Sequence, residues 1–564
     1  MSTATLSRRP LRRFWGWGLA DEALGDDERR LVQGLLAQLP GGVADAVAEP
    51  RVEDFALPPP RVPRPEALAH CVSGLAHDRL SHAYGKSYAD LARMLMRHVP
   101  HAPDWVAYPA DEDELIRVLE WAGREQLAVV PYGGGSSVVG GVEPDVGDGW
   151  RGSVTVDLER FDRVRQVDPT SRSALIDAGC YGPDLEAQLR PHGLTLRHYP
   201  QSFRFSTLGG WIATRAGGHY ATQATRIDAF VQATRLVTPA GVVQKRRLPG
   251  SGAGPSVDGL VLGSEGSFGI VTQAWMRLQP RPRYRASAAV RFAALAPAVA
   301  AVRAIAQSGL QPANCRLLDS AEVAFAGVGD RRSPTLVLGF ESADHPLQAW
   351  MARALELVAD HGGRFDADAV QRSMAPADSA EAAEHRQGAA GQWRDAFLRM
   401  PYWRDEAARH GVILDTFETA ITWDRFDAFY AAVREEVGDA IRRVTGHPMP
   451  VSCRFTHVYP DGPALYFTVV AATGTQAGPA GAWARWREIK AACNAAVVRH
   501  GGTSTHHHAV GRDHRRAYEA EVPALLRAAL AAAKAQFDPQ GLMNPGVLLE
   551  PQGRPVGIRG GTLG

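Results

Sequence analysis

Hydrophobic and polar positions alternate in short runs through the middle of the chain. Residues 105–135, WVAYPADEDELIRVLEWAGREQLAVVPYGGG, predict a strand, a helix, a second strand and a glycine loop, in that order. The helix opens at Ala110 and Asp111 with an acidic first turn, which suits the positive end of the helix dipole. Further runs of β-forming residues predict strands at 153–158, 173–179, 230–243 and 270–278.

The pattern changes after the stretch PRPRY (280–284). Strands are predicted from the runs AVRFAAL, TLVLGF, VILDTFETAI, VSCRFTHVY and ALYFTVVA, at 289–295, 335–340, 412–421, 451–459 and 464–471. Helices are predicted at 347–362 and 482–501, and in the alanine-rich stretch that follows residue 295. Strands and helices that alternate in this way indicate a second α+β unit.

The chain has 564 residues, which is too long for one core and enough for two or three domains. We expect four segments. Residues 1–95 are helical and irregular, with a proline-rich linker at 57–65, and residues 96–280 form the first α+β unit. Residues 281–500 form the second unit, and residues 501–564 hold a histidine-rich loop and a C-terminal helical segment.

Composition narrows the class of protein. Hydrophobic residues make up 45% of the chain and charged residues 22%, as in a folded soluble protein. Lys and Arg (62) nearly balance Asp and Glu (61), which argues against a nucleic-acid-binding protein. The five cysteines have no CxxC spacing, so the sequence predicts neither a zinc cassette nor a disulfide framework, and it fits a reducing compartment.

Targeting patterns favour a cytoplasmic location. No apolar run is long enough to span a bilayer. The N-terminal arginines are followed by FWGWG rather than by a long apolar core, so we expect no secretory signal. The final residues, GGTLG, are not a peroxisomal address. Arginines beside aromatic residues near the N-terminus would also suit peripheral contact with a membrane surface.

Three glycine-rich loops stand at the ends of predicted strands. The first glycine loop is PYGGGSSVVGG (131–141), the second is PQSFRFSTLGGWIATRAGG (200–218) and the third is LGSEGSFGIV (262–271). Neither the GxGxxG nor the GxxxxGK[ST] motif is present in the first loop, and a triple glycine alone is also consistent with a tight turn. Glycines with neighbouring hydroxyls can nonetheless cradle a pyrophosphate, and three such loops favour an extended dinucleotide ligand.

The stretch TSTHHHAVG (503–511), called here the histidine loop, places three imidazoles in a row. Imidazole titrates near neutrality and also binds metals, so the residues alone leave open a metal site, a catalytic cluster and an exposed loop.

Together these motifs resemble the vanillyl-alcohol-oxidase type of flavoprotein and, within it, the alkyldihydroxyacetonephosphate synthases. The resemblance runs over nearly the whole chain, from WGWG (15–18) through the glycine loops, CRLLD (315–319) and DTFETAITWDR (415–425) to HHHAVG. It implies an α+β fold, with a two-part PCMH-type FAD-binding domain and an α+β cap domain. It also implies noncovalent FAD, since the first glycine loop has no histidine between residues 131 and 137.

The resemblance also assigns roles to residues. It implies that Tyr466, His506, His507 and His508 are catalytic and that Arg404 and Arg316 bind substrate. An arginine can hold a phosphate or carboxylate through two parallel hydrogen bonds, and an ion pair with Asp405 or Asp319 is the alternative for these two. The implied FAD contacts are Pro131, Tyr132, Gly133, Gly134, Gly135, Ser136, Ser137, Gln201, Ser202, Ser206, Thr207, Thr214, Arg215, Ala216, Gly217, Glu265, Gly266, Ser267, Phe268, Gly269, Ile270 and Val271.

A metal site is the competing interpretation of the histidine loop. Similar flavoenzymes that oxidise 2-hydroxy acids hold a metal with two imidazoles and a carboxylate. Here His457 keeps the first position, but Tyr466 replaces the second imidazole and the histidine loop has no glutamate. We therefore expect no metal, and we expect Tyr466 and the histidines to move protons.

The implied reaction exchanges the acyl chain of 1-acyl-dihydroxyacetone phosphate for a long-chain alcohol, a step of ether lipid synthesis. The alternative is an FAD-linked oxidase or dehydrogenase of a 2-hydroxy acid or an alcohol, which the ending FDPQGLMNPG resembles more closely. The expected partners are the acyl-dihydroxyacetone phosphate, the alcohol and a membrane surface, with a homodimer also compatible and no nucleic acid.

Overall fold

This computed structural model describes residues 5–375 and 389–550. The C-terminal GGTLG, and with it the end of the expected segment 501–564, lies outside the described residues. Within the described ranges, no helix has the length and the apolar character needed to cross a membrane. The α-helices are α1 Asp26–Leu36, α2 Ala76–Ser81, α3 Tyr88–Leu95, α4 Glu112–Glu125, α5 Gly182–Leu189, α6 Leu208–Thr214, α7 Asp258–Val261, α8 Leu295–Gln307, α9 Ser320–Ala326, α10 Gln348–Asp360, α11 Ala367–Ser373, α12 Ala389–Arg409, α13 Phe426–Thr445, α14 Gly478–Arg499, α15 Arg515–Glu521 and α16 Ala524–Phe537.

The first half of the fold contains two sheets with a shared core. One sheet has the order β1-β2-β4-β3, with β2 and β3 parallel to β4, and its strands are β1 Val72–Ser73, β2 Trp105–Ala107, β3 Leu127–Tyr132 and β4 Gly152–Asp157. The other is antiparallel in the order β5-β6-β10-β8-β9, formed by β5 Val164–Asp168, β6 Ser173–Asp177, β8 Val231–Thr238, β9 Gly241–Gln244 and β10 Ile270–Arg277. Side chains of both sheets, Val129 and Ile176 among them, belong to one apolar cluster. A short pair, β7 Leu194–Thr195 and β11 Gln279–Pro280, lies beside them.

The predicted strand, helix and strand at 105–132 are confirmed. Helix α4 begins after Asp111, whose carboxylate accepts a hydrogen bond from the Glu114 N–H at 2.9 Å, and it ends at Gln126 in a left-handed conformation with φ of 56°. The chain then enters β3, which pairs with β4 from Leu127 to Tyr132. The first glycine loop lies at the end of β3.

The second half is built on one antiparallel sheet of order β12-β14-β13-β16-β17-β15. Its strands are β12 Tyr284–Arg291, β13 Asn314–Leu318, β14 Thr335–Ser342, β15 Val412–Ala420, β16 Ser452–Val458 and β17 Pro463–Ala472. The expected strand at 289–295 was wrong in its position, because β12 begins at Tyr284 and helix α8 already begins at Leu295. The buried positions of β12 include Ala286 and Ala288, and such small residues gave no clear alternation.

The two faces of this sheet differ in chemistry. Phe467 is paired with Cys453 on one side and Phe417 on the other, and this row packs in the apolar cluster of the cap with helix α13. The next row joins Arg454, Tyr466 and Glu418. Because side chains of neighbouring rows point to opposite faces, the polar row faces away from that core. It therefore lines the space between the two halves.

Both ends of the described chain return to the two cores. Strand β1 pairs with β2, whereas α3 packs in the apolar cluster of the cap, so the first 95 residues are divided between the halves. Near the other end, the Val129 N–H donates to the Leu542 carbonyl and the Asn544 N–H to the Val129 carbonyl, both at 2.8 Å. The closing segment thus holds β3 and the glycine loop that follows it.

Candidate active site

A cavity of about 320 Å³ lies between the three glycine loops and the polar face of the cap sheet. Helix α12 supplies a third wall through Phe397, Met400, Pro401 and Arg404. Their spacing of three, four and seven residues places them on one face of the helix. The cavity therefore has a backbone-rich wall, a polar wall and a largely apolar wall.

The glycine loops approach one another so closely that side chains would not fit. A Cβ atom on Gly134 would lie 2.0 Å from the Phe205 carbonyl oxygen, and one on Gly133 would lie 2.3 Å from Thr207 Oγ1. Gly266, at φ of 73°, would meet Pro131 at 2.7 Å. Each contact joins one loop to another, so the three loops form one continuous surface.

Most of the expected FAD contacts line this cavity: Pro131, Tyr132, Gly133, Gly134, Gly135, Ser136, Ser137, Gln201, Ser202, Ser206, Thr207, Thr214, Ala216, Gly217, Glu265, Gly266, Gly269, Ile270 and Val271. Three others are not among the residues that line the cavity, and their contact with FAD stays a prediction. Arg215 forms an ion pair with Asp228, the Ser267 hydroxyl donates to the Val547 carbonyl at 3.2 Å, and Phe268 packs against Phe537. Through these contacts, the three side chains hold the glycine loops in place.

The residues present fit a dinucleotide with charged and aromatic parts. Several buried polar atoms on the wall have no hydrogen-bond partner among the described residues, namely Ser264 Oγ, Thr468 Oγ1, Arg316 Nε and Arg404 Nε. Unpartnered buried polar groups are costly, and a polar ligand removes that cost. Glycine backbone, hydroxyls and a helix N-terminus beginning after Thr207 complete a surface suited to FAD.

Tyr466 stands at the centre of the polar wall. Its oxygen accepts a hydrogen bond from Thr416 Oγ1 at 2.9 Å, and the guanidinium of Arg454 lies 4.0 Å from its ring centre. Burial raises the pKa of Tyr466 above its ordinary value, although the charge of Arg454 opposes this shift. The phenol therefore keeps its proton at neutral pH. The Arg454 guanidinium lies close enough to stabilise the phenolate when the proton is lost.

The histidine loop is held by one buried carboxylate, Glu418. Its two oxygens accept hydrogen bonds from the Thr505 hydroxyl at 2.6 Å and from the backbone N–H groups of His506, His507 and His508 at 2.7, 3.1 and 3.0 Å. Burial opposes its ionisation, but the electrostatic interaction and the hydrogen bonding with the neighbouring His507 side chain hold the pKa of Glu418 well below the ordinary value. Glu418, on β15, thus supplies a carboxylate at the histidine loop, where none was expected.

Two of the three imidazoles reach the cavity. The rings of His507 and His508 lie 6.0 and 5.3 Å from the ring of Tyr466, centre to centre. Burial keeps the pKa of His508 well below its ordinary value, so this imidazole is neutral and able to accept a proton. Tyr466, His507 and His508 thus form one group of side chains that can donate or accept protons.

His506 lies behind the cavity wall. Its Nε2 atom is 2.6 Å from the Tyr459 hydroxyl, and its Nδ1 atom is 3.1 Å from His507 Nδ1. Burial lowers the pKa of His506 to about 3. Ring nitrogens of His457, His506 and His507 lie within 4.8 Å of one another, so this group could hold a metal ion. The prediction that no metal is used stays a prediction.

The two expected substrate arginines enter the cavity from different elements. Arg316, on β13, donates to the His219 carbonyl at 3.4 Å and has no ion-pair partner among the residues described. Burial and the nearby charge of Arg454 lower its pKa to about 10. Arg404, on α12, donates to the Lys86 carbonyl at 2.8 Å and lies 3.5 Å from Asp405. Both keep an unpartnered Nε atom, as noted above.

Sequence reasoning missed three groups on this wall. Arg454 is paired with Glu322, which is 1% exposed, and Lys490 lies 3.5 Å from Asp415. Glu418 is the third. For Glu418 and Arg454, a charged residue inside a strongly alternating strand, as in VILDTFETA and VSCRFTHV, would have been the signal of a buried polar face.

Comparison with known proteins agrees with this architecture. Residues 103–246 match the family model described as an FAD binding domain, and residues 281–548 match the C-terminal domain of FAD linked oxidases. A solved structure of alkyldihydroxyacetonephosphate synthase shares the fold, with a TM-score of 0.76 over 94% of this chain and 98% of that chain at 24% identity. p-Cresol methylhydroxylase shares it more loosely, with a TM-score of 0.62 over 85% of this chain and 94% of that chain at 15% identity.

Similarity to curated relatives shows which family the chain belongs to. The alkyldihydroxyacetonephosphate synthase of Trypanosoma brucei brucei is 30% identical over 87% of this chain and 82% of that protein. The synthase of Dictyostelium discoideum is 30% identical over 84% of this chain and 77% of that protein. With the FAD-binding architecture described above, these similarities show that the chain belongs to the alkyldihydroxyacetonephosphate synthase family of FAD-dependent enzymes.

Proposed function

We propose that the protein synthesises ether lipid precursors by exchanging the acyl chain of 1-acyl-dihydroxyacetone phosphate for a long-chain alcohol, with FAD held noncovalently. The observation that carries the proposal is the grouping of Tyr466, His507 and His508 with Arg316 and Arg404 in one cavity with the glycine loops. The names of the relatives support the same reaction.

The reaction breaks the bond between C1 of dihydroxyacetone phosphate and the acyl oxygen, and it forms a bond between C1 and the alcohol oxygen. The fatty acid leaves, and there is no net oxidation or reduction. FAD held by the three glycine loops would supply an electron-accepting ring system for this reaction. Arg404 and Arg316 bind the phosphate, because each offers unpartnered donors and positive charge.

Side chains of the polar wall move the protons in this reaction. The neutral imidazole of His508 accepts a proton from the carbon next to the ketone and later returns it. The protonated Tyr466 donates its proton to the departing carboxylate and regains one from the alcohol hydroxyl. Arg454 stabilises the phenolate left behind. The apolar face of α12, with Phe397 and Met400, accommodates the start of a long chain. Substrates of this kind favour peripheral docking on a membrane from the cytoplasm.

The test uses the purified yellow protein under anaerobic conditions with palmitoyl-dihydroxyacetone phosphate and labelled hexadecanol. We expect labelled ether product and released palmitate, an unchanged flavin spectrum at the end of the reaction, and no product from Tyr466→Phe with full FAD occupancy. Bleaching of the flavin by a panel of 2-hydroxy acids or alcohols, without ether product, would contradict the proposal and indicate an FAD-linked dehydrogenase.

A further inference from the structure

One part of the cavity wall comes from outside both matched family regions. Trp17 lines the cavity, although the family models begin at residues 103 and 281. Residues 12–18, RRFWGWG, lie between the glycine loops and helix α12. We call this segment the N-terminal strap, and its contacts involve both the cofactor side and the substrate side of the site.

Arg12 joins two glycine loops. Its guanidinium donates to the Gly134 carbonyl in the first loop and to the Phe205 carbonyl in the second, at 3.2 Å for the latter. The planar group with several donors can hold two acceptors at once. A carbonyl fixed in this way also fixes the orientation of its peptide, and so the direction of the adjoining N–H group. Arg12 therefore sets the geometry of backbone groups that face the ligand.

The glycines of WGWG permit the strap to lie against α12. A Cβ atom on Gly16 would lie 2.6 Å from Asp405 Oδ2, and one on Gly18 would lie 2.7 Å from Tyr402 Cε1. Gly18 also has φ of 93°, which other residues adopt only with strain. The motif therefore serves close approach to the helix that carries Arg404.

Trp17 is fixed at both its backbone and its ring. Its N–H donates to Asp405 Oδ2 at 2.5 Å, and its ring packs edge to face on Phe205 with 5.4 Å between ring centres. Asp405 adjoins Arg404 and lies 3.5 Å from its guanidinium. The indole thus forms a wall of the cavity that is attached to the second glycine loop and to the substrate arginine.

The strap also brings positive charge behind the first glycine loop. A small cavity between the strap and Gly134 and Ser136 is lined by Arg12 and Lys86. The Lys86 amino group donates to the Arg13 and Phe14 carbonyls at 3.3 and 3.4 Å, but burial and the nearby charge of Arg12 lower its pKa to about 7. Arg12 is therefore the lasting cation at this place. The diphosphate of FAD carries negative charge, and a cation behind a glycine loop favours it.

We propose that the N-terminal strap is part of the FAD site: Arg12 holds the first and second glycine loops in the arrangement that binds FAD, and Trp17 closes the wall over it. Arg12 is in this sense a positioning residue. The inference concerns retention of FAD and does not depend on the proposed ether-forming reaction.

The test measures the Kd for FAD by diluting the holoenzyme and following the rise of flavin fluorescence as FAD is released. We expect Arg12→Met to raise the Kd at least tenfold, which is about 1.4 kcal/mol, and Arg12→Lys to fall between Arg12→Met and the unchanged protein. Trp17→Ala should also raise the Kd. Arg8→Met is the matched control, because Arg8 is an exposed arginine of the preceding residues that uses its backbone N–H to contact Glu159.

A purely structural role would lower the thermal midpoint without changing the Kd of the folded protein, so both are measured on each variant. Folded Arg12→Met with a Kd within twofold of the Arg8→Met control would overturn the proposal. If Arg12→Met does not fold, Trp17→Ala decides in its place: a Kd raised at least threefold supports the strap, and a Kd equal to that of the control overturns it.

Discussion

Replacing Glu418 with glutamine should loosen the histidine loop without unfolding the protein. The carboxylate is fully buried between β15 and the loop, and it accepts four hydrogen bonds, from the Thr505 hydroxyl and the three histidine N–H groups. Glutamine has nearly the same volume but offers one acceptor oxygen and one NH₂ group. The substitution thus tests the hydrogen bonds and the charge with little change in packing.

The magnitude follows from the contacts. If the glutamine oxygen takes the place of Oε1, it keeps the bonds from Thr505, His507 and His508, while its NH₂ faces the His506 N–H. One orphaned buried donor costs about 1–3 kcal/mol. The three remaining bonds also weaken, because bonds to an ionised acceptor are roughly twice as strong as neutral ones. We expect the free energy of local opening to fall by about 2–4 kcal/mol, or roughly 30- to 1,000-fold in amide protection.

Hydrogen exchange measured by mass spectrometry on peptides covering residues 503–511 gives this quantity directly. The folded-state pKa of Glu418 is lowered, so its stabilisation is complete above the ordinary carboxyl pKa and is lost only as pH falls through the lowered value. The comparison is therefore made at pH 7, where this carboxylate is ionised. Glu436→Gln is the matched control, since Glu436 forms its pairs with Arg499 and His500 near the surface.

Unchanged protection of residues 505–508 in folded Glu418→Gln, within threefold of the control, would refute the reasoning. It would mean that packing of the loop, and not the carboxylate, fixes the histidines. Faster exchange over the whole chain would equally refute it, because the loss would then be global and not confined to the loop.

Three further predictions concern buried groups. Burial raises the pKa of Glu265 to about 7, so its contribution lowers stability as pH rises from about 4.5 to 7, and Glu265→Gln should flatten the dependence of the thermal midpoint on pH over that range. Arg454→Met leaves Glu322 buried without its cation and should cost about 3–5 kcal/mol, whereas adding Glu322→Gln should restore part of that loss in the midpoint of urea unfolding. Phe467→Ala, which removes a fully buried ring stacked at 4.7 Å on Phe417, should cost about 3–5 kcal/mol in the same assay.

The sequence was informative where a local pattern carries the structure. The first glycine loop follows β3 and the third leads into β10, as expected for loops at strand ends, and alternation located the strands that carry Tyr466 and Arg454. Strand β13, which carries Arg316, was not predicted. Local patterns were misleading at β12, where alanines occupy core positions and the strand begins at Tyr284. An alanine in a strand buries little surface, so it gives a weak alternation.

Contacts between distant segments could not be obtained in this way. Glu418 meets the histidine loop across almost ninety residues, and its position follows from the register that pairs it with Tyr466. A shift of the register by one residue would turn its carboxylate into the apolar core. No single-sequence pattern fixes that register. The same holds for Arg12, whose acceptors are the carbonyls of Gly134 and Phe205.

The distribution of charge on the polar wall bears on the substrate. Arg454 is paired with Glu322, and Glu418 is surrounded by N–H groups, so these charges are balanced within the fold. Arg316 has no ion-pair partner among the described residues, and Arg404 keeps an unpartnered Nε atom beside the cavity. A cation buried without an anion is costly, and an anionic ligand removes that cost. This charge distribution supports the proposed substrate, whose phosphate would supply an anion beside Arg316 and Arg404.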